Sequence, residues 1–190
     1  MEQADIDKNI ADEELVRNIV KTNNTHLFAI LYDRYANVVY NKCLSFSKST
    51  EEAQDLAHDV FVNLFVKLRT FQGKSKFSTW LYSFTYNFCV NYVQRDLKKR
   101  KEKFVNTDEM NRYSEELAEI KDEDIFELKS DKLEKALKII DPDDKMILLM
   151  KYQDDFTIKE IKETLEIGES AVKMRLSRAK NRLVEIYKKL

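Results

Sequence analysis

Glycine and proline are nearly absent. The 190-residue chain holds only Gly73, Gly168 and Pro142. Sheet proteins need turn-forming residues at short intervals, so this scarcity excludes a sandwich or a barrel and predicts an all-α fold of helices joined by polar loops. Cysteine is as scarce. Cys43 and Cys89 lie far apart in the chain, each inside a helical pattern, and read as buried free thiols rather than a disulfide or a metal pair. His26 and His58 have no partner at metal-ligand spacing. No apolar run approaches a membrane span and no signal peptide opens the chain, so a cytoplasmic protein without membrane insertion is expected. There is no nucleophile–base constellation and no glycine-rich phosphate loop. The expectation is a binding protein, not an enzyme, with no catalytic residue, no metal and no cofactor.

What is present is apolar bulk and unevenly placed charge. Apolar residues make up 43% of the chain, enough to fill real cores. The formal net charge of −1 hides an asymmetry. Residues 1–101 carry 15 Lys/Arg against 12 Asp/Glu, residues 102–131 carry 4 against 11, and residues 132–190 carry 14 against 11. Two mildly basic segments are thus joined by an acidic one. Two helical domains are expected, at 12–101 and 132–190, with 102–131 as an acidic linker in which Ile125, Phe126 and Leu128 are candidates for docking.

Helix signals divide the chain further. Asp12 is a candidate cap for a first helix to about Lys21, and Thr25 for a second to about Ser47. Ser49 with Glu52 forms a capping box for a third helix, to about Leu68. After a loop containing Gly73, a fourth helix is expected from about Ser78 to Lys99. Asp141-Pro142 reads as a cap followed by proline at the first helical position. Thr157 with Glu160 reads as another capping box.

Residues 157–178 have the anatomy of a helix-turn-helix: a short capped helix, a tight turn through Ile167-Gly168, and an amphipathic helix starting near Ser170. Val172, Leu176, Ala179, Leu183, Ile186 and Tyr187 share one stripe. Lys173, Met174, Ser177, Arg178 and Asn181 fall opposite. Such charge, hydroxyl and amide groups suit base edges and phosphates in a major groove. A solvated basic helix in a bundle is the plainer alternative.

The third helix has an ordinary core stripe through Ala53, Leu56, Val60 and Leu64. Opposite it, Asp55, Asp59, Val62 and Val66 fall within about 60° of arc. Two exposed valines flanked by carboxylates suit a partner with an apolar centre and a basic rim, although isolated surface valines are also common. On the fourth helix Phe77, Trp80, Leu81, Phe84, Phe88 and Tyr92 are the expected core stripe. Ser83, Asn87, Asn91, Gln94 and Lys98 line another face that runs into Lys99, Arg100 and Lys101. Amides, hydroxyls and cations in sequence suit nucleic acid; a basic end also suits the negative pole of the helix dipole. Tyr82 and Tyr86, on a third side, fit either base stacking or core packing.

Together these segments resemble the extracytoplasmic-function type of bacterial RNA polymerase sigma factor. Asp55-Leu56-Ala57-His58-Asp59-Val60-Phe61 is similar to the family's D-L-x-Q-E-x-F motif, Phe77-Ser78-Thr79-Trp80-Leu81-Tyr82 with Asn87 to its F-x-x-W-L-Y…N segment, and Val172-Lys173-Met174-Arg175-Leu176-Ser177-Arg178-Ala179 to its V-K-S-R-L-x-R-A signature. The resemblance implies promoter-directed initiation and melting with RNA polymerase core as partner, through its β′ clamp helices and β flap, plus promoter DNA and an anti-sigma factor. It implies docking on the clamp by Asp55, Leu56, His58, Asp59, Val62 and Val66. It implies minus-ten contacts from Ser75, Phe77, Ser83, Asn87, Asn91, Gln94, Lys98, Lys99 and Arg100, with Phe77 stacking on an extruded base. It implies minus-thirty-five contacts from Ser170, Lys173, Met174, Ser177, Arg178 and Asn181. The chain departs from the family pattern at His58 and Asp59, which replace Gln-Glu, and at Met174, which replaces Ser. Lys162 and Glu166 replace the small residue and the turn glycine of the helix-turn-helix. Lys162 is therefore expected to snorkel along the helix contact, and Glu166 to turn with help from Gly168. A stand-alone helix-turn-helix regulator and a non-DNA helical adaptor are the alternatives.

Overall fold

Asp12 shows how local signals and long-range contacts divide the work. It is the first residue of helix α1 (Asp12–Thr22), not its cap; Ala11 holds that position without a side-chain bond. Its carboxylate instead pairs with Arg34 at 2.5 Å and accepts a hydrogen bond from the Tyr35 hydroxyl, which ties α1 to helix α2 (Thr25–Phe46). Burial, then that bond, pushes the Tyr35 hydroxyl well above its ordinary value. The expected Thr25 cap also moves by one residue: Asn24 caps α2, accepting from the His26 and Leu27 amides. For Asp12 the tertiary contact takes the carboxylate; at the start of α2 Asn24 and Thr25 are both short polar side chains able to cap, and Asn24 is the one that stands just before the helix.

The computed structural model describes residues 10–103, 120–126 and 128–190, with the side chains of 100–103 and 126 left out. The side chains of Arg100 and Phe126 and most of the acidic linker therefore lie outside the described part of the chain. All regular structure among the described residues is helical. The chain forms two compact units, up to Cys89 and from Val90 onward.

In the first unit, α2 packs against helix α3 (Thr50–Lys67), which a 3-10 turn at Leu68–Thr70 closes. Ser49 caps α3 by accepting from the Glu52 amide at 3.2 Å. The Glu52 carboxylate returns to the Lys48 amide, one residue outside the expected box. Helix α4 (Phe77–Lys103) begins one residue earlier and ends four later than expected. Its first amide donates to the Glu13 carboxylate of α1 at 2.9 Å. Along α2 it packs Phe77 against Tyr35 and Tyr86 against Phe46. Cys43 and Cys89 meet there as buried free thiols, Sγ to Sγ 3.8 Å. Lys42 is 2% exposed. Its ammonium lies 4.2 Å from the Tyr82 ring centre and donates to the Tyr86 hydroxyl, so two rings and a phenol replace its water.

The second unit is built round helix α7 (Pro142–Tyr152), buried continuously from Asp144 to Met150. Asp141 caps it by accepting from the Asp143 amide, and Pro142 follows as expected. Before it come helix α5 (Asp122–Phe126) and helix α6 (Ser130–Ile139); after it come α8 (Ile158–Leu165) and α9 (Glu169–Lys189). The end of the acidic segment docks on this unit. Ile125 is buried, and Asp122 accepts from the Tyr152 hydroxyl at 2.6 Å and from the Lys180 ammonium at 2.9 Å. Those two donors, Tyr152 first, hold the Asp122 carboxyl below its ordinary range.

Candidate nucleic-acid interface

The helix-turn-helix forms as the capping signals require. Thr157 and Glu160 complete a reciprocal capping box on α8. Ile161 and Val172 are fully buried between α8 and α9, beside Leu176. Lys162 does not snorkel along this contact: it is exposed, because Ile158, Ile161 and Leu165 already supply the packing stripe. Glu166 makes the turn itself, in the left-handed region at φ 53°, with its amide on the Lys162 carbonyl. Gly168 sits at φ −69°, where any residue fits, so its freedom is not used. It is the N-cap position of α9, which starts at Glu169.

On α9 the expected contact residues stand on the open side. Ser170, Lys173, Met174 and Arg178 are exposed, and Ser177 and Asn181 are half-buried. Asn181 donates to the Ser177 carbonyl at 2.9 Å, and Lys173 pairs with Glu169 at 2.6 Å. Both groups of that ion pair are about two-thirds exposed, so a phosphate could draw the ammonium away at little cost. At the flank, Arg182 pairs with Asp144 of α7 at 2.6 Å. Burial raises the Asp144 carboxyl, and Arg182 opposes that rise. This bond fixes the roll of α9 on α7, and nothing in the local pattern announces it.

Helix α4 is different. Phe77 is fully buried, packed between Tyr35, Phe71 and Trp80. Its ring presents no free face, which corrects the expectation that it stacks on a base. Ser83 is also buried, its hydroxyl donating to the Thr79 carbonyl. Tyr86 is fully buried, and Tyr82 lies against Lys42. Conversely, Trp80, Phe84 and Phe88, expected in the core, are half-exposed. They form a ladder, with Trp80 and Phe84 stacked at 5.8 Å and Phe84 and Phe88 tilted at 6.4 Å. By helical position the ladder adjoins the exposed Asn87 and Asn91. Rings beside amides form a platform for unpaired bases. Lys98 and Lys99 are exposed beyond. Ser75 is half-buried in the preceding loop, where Gly73 takes φ 67°. Gln94, in the second unit, donates to Asp143 at 2.7 Å.

On α3, Asp55, His58 and Asp59 are exposed, and Val62 and Val66 are each 54% exposed. Leu56 is 1% exposed and serves the core, so it is not presented for docking. The remaining residues share one open strip.

Two family models match these segments: Sigma-70 region 2 over residues 31–99, and Sigma-70, region 4 over residues 130–183. The ECF RNA polymerase sigma factor SigW of Bacillus subtilis is 29% identical over 173 residues, covering 86% of this chain and 90% of that protein. The chain belongs to the sigma-70 family, in its extracytoplasmic-function group. The sigma factor therefore directs RNA polymerase core to promoters for transcription initiation; its relatives are initiation factors rather than catalysts. Among solved structures, CnrH in complex with the cytosolic domain of CnrY matches with a TM-score of 0.61 at 17% identity, covering 93% of this chain and 97% of CnrH. RpoE of Bartonella quintana, in complex with the anti-sigma factor NepR, matches with a TM-score of 0.56 at 18% identity, covering 85% and 96%. At these identities the two structures speak to the fold. No described helix of the sigma factor is long and apolar enough to cross a membrane.

Proposed function

We propose that the sigma factor docks on the β′ clamp helices of polymerase through Asp55, His58, Asp59, Val62 and Val66. The observation that carries this is the pair of valines, each 54% exposed, that continues along the helix the strip begun by the exposed carboxylates of Asp55 and Asp59. Such a strip is costly in water and complements an apolar centre with a basic rim. The domain at 12–101 then holds the melted minus-ten strand on α4. Asn87, Asn91 and Gln94 offer hydrogen bonds, Trp80 and Phe84 offer ring faces, Ser75 lies at the loop, and Lys98, Lys99 and Arg100 attract phosphate. For Gln94 this requires exchange of its bond to Asp143.

The domain at 132–190 rests on the β flap and reads the minus-thirty-five duplex through Ser170, Lys173, Met174, Ser177, Arg178 and Asn181. The acidic linker follows the polymerase's basic RNA path. Joining the two DNA contacts in one chain raises the effective concentration of the second. The protein works in the cytoplasm by binding alone. An anti-sigma factor that covers these faces silences it, as the complexes of CnrH with CnrY and RpoE with NepR suggest.

The deciding experiment pairs Asp59→Lys with Val62→Asp in the full chain and measures affinity for purified core polymerase, then promoter-dependent transcription. Loss of both activities with unchanged helicity is expected. Undiminished core binding would remove the clamp assignment.

A further inference from the structure

The valine strip does not end on α3. Val66 also forms part of the wall of a groove of about 400 Å³ between α1 and the end of α3, where Val20, Asn23, Phe65 and Arg69 line it. Val20 is 40% exposed at its rim. Val62, Val66 and the groove thus form one apolar track, too continuous for scattered surface valines. Helix α1 lies outside the residues matched by the region 2 model, which begins at residue 31.

Charge is ordered along the same track. Asp55 and Asp59 are exposed at one end; Arg69 is exposed at the other, where it lines the groove. Asp55 and Val66 are about 16 Å apart along the helix axis, roughly three turns. The surface therefore runs acid, apolar, base over a length that matches one short amphipathic helix. A partner helix meets it in one direction only, because reversal sets cation against cation and carboxylate against carboxylate.

We infer that the groove receives an apolar side chain from the polymerase clamp helices, so that α1 is part of the docking surface. The partner helix lies with basic residues over Asp55 and Asp59, an apolar side chain in the groove against Val20 and Val66, and an acidic residue at Arg69. This rests on the clamp reading above, and supplies its missing end: the direction of the partner and a socket that an α3-only contact lacks. Val20 and Arg69 are then specificity-determining residues for polymerase.

The test titrates labelled full-length protein with purified core polymerase for Val20→Asp, Arg69→Glu and Val62→Asp, with circular dichroism to follow folding. Val62→Asp is expected to abolish binding. Val20→Asp should weaken it tenfold or more, and Arg69→Glu several-fold, with the Arg69 effect shrinking at high salt. Should Val20→Asp misfold, Arg69→Glu, a surface change, carries the test together with a photo-crosslinker at position 20, which should label β′. Wild-type affinity for both Val20→Asp and Arg69→Glu, or no β′ labelling from position 20, overturns the groove while Val62→Asp alone judges the clamp face. A concentration-dependent dimer that Val20→Asp abolishes, at unchanged core affinity, would assign the groove to a second copy and also overturn it.

Discussion

The two helices proposed to meet DNA are built in opposite ways. α9 buries one stripe, Val172, Leu176, Ala179, Leu183 and Ile186, and leaves its contact residues on the far side. α4 is buried round much of its first half, by Phe77, Leu81, Ser83, Thr85, Tyr86 and Cys89, and offers only a strip with Trp80, Phe84, Asn87 and Asn91. In α9 the residues that hold the fold and those offered to DNA are separate sets. In α4 they adjoin, through an aromatic ladder whose inner end is the buried Phe77. A change on α9 should therefore alter binding without stability, and a change on α4 should mix the two.

Phe77→Ala is the most severe test. Removing a fully buried ring should cost about 3–5 kcal/mol and unfold much of the first unit, read by thermal or urea denaturation. A surface base-stacking ring would leave stability untouched. Arg178→Ala should weaken promoter binding of the holoenzyme by about 1–3 kcal/mol. The salt dependence should fall by about one counterion if the contact is to phosphate. Its thermal midpoint should hold, and a large drop would erase the contrast between the helices. Trp80→Ala should fall between them, losing about 1–3 kcal/mol of affinity for a melted minus-ten strand, together with some stability.

Two smaller effects concern the second unit. Glu166→Gly relieves the left-handed turn at φ 53°. Glycine also has more entropy to lose on folding, so a net gain of at most about 1 kcal/mol is expected by denaturation, with unchanged promoter preference. Asp122→Asn should be milder, because the side chain is half-exposed. Its folded carboxyl titrates below the ordinary aspartate value, so the stabilisation is complete above that value and is lost as pH falls through the depressed one. The thermal midpoints of wild type and Asp122→Asn should thus differ at neutral pH and converge in acid. A constant gap across pH would mean that the charge of Asp122 contributes nothing.

Much of α9 was legible because a helix with one packed side obeys a simple 3.6-residue period. All six expected contact residues on it are at least half-exposed. The capping box at Thr157 and Glu160, and the Asp141-Pro142 start, were equally legible, since they involve neighbours in the chain. On α4 the same reasoning rotated the stripe, placing Trp80, Phe84 and Phe88 inside and Ser83 outside. Periodicity finds a polar side only where one exists, and the first half of α4 has neighbours on most sides. Leu56 shows the limit of motif reading: it stands within the docking motif yet faces the core.

The sequence by itself determined that the chain is helical, where helices α1 to α4 and α7 to α9 begin within a residue or two, and which motifs they carry in which order. These depend on glycine and proline content, on caps and on short-range periodicity. Only the tertiary structure decided that Glu13 holds the start of α4 from 64 positions away, that Asp144 sets the roll of α9 through Arg182, and that Val20 continues the strip begun by Val62 and Val66. The reason is that a side chain's partner across space depends on how whole helices pack, which no local window of sequence contains.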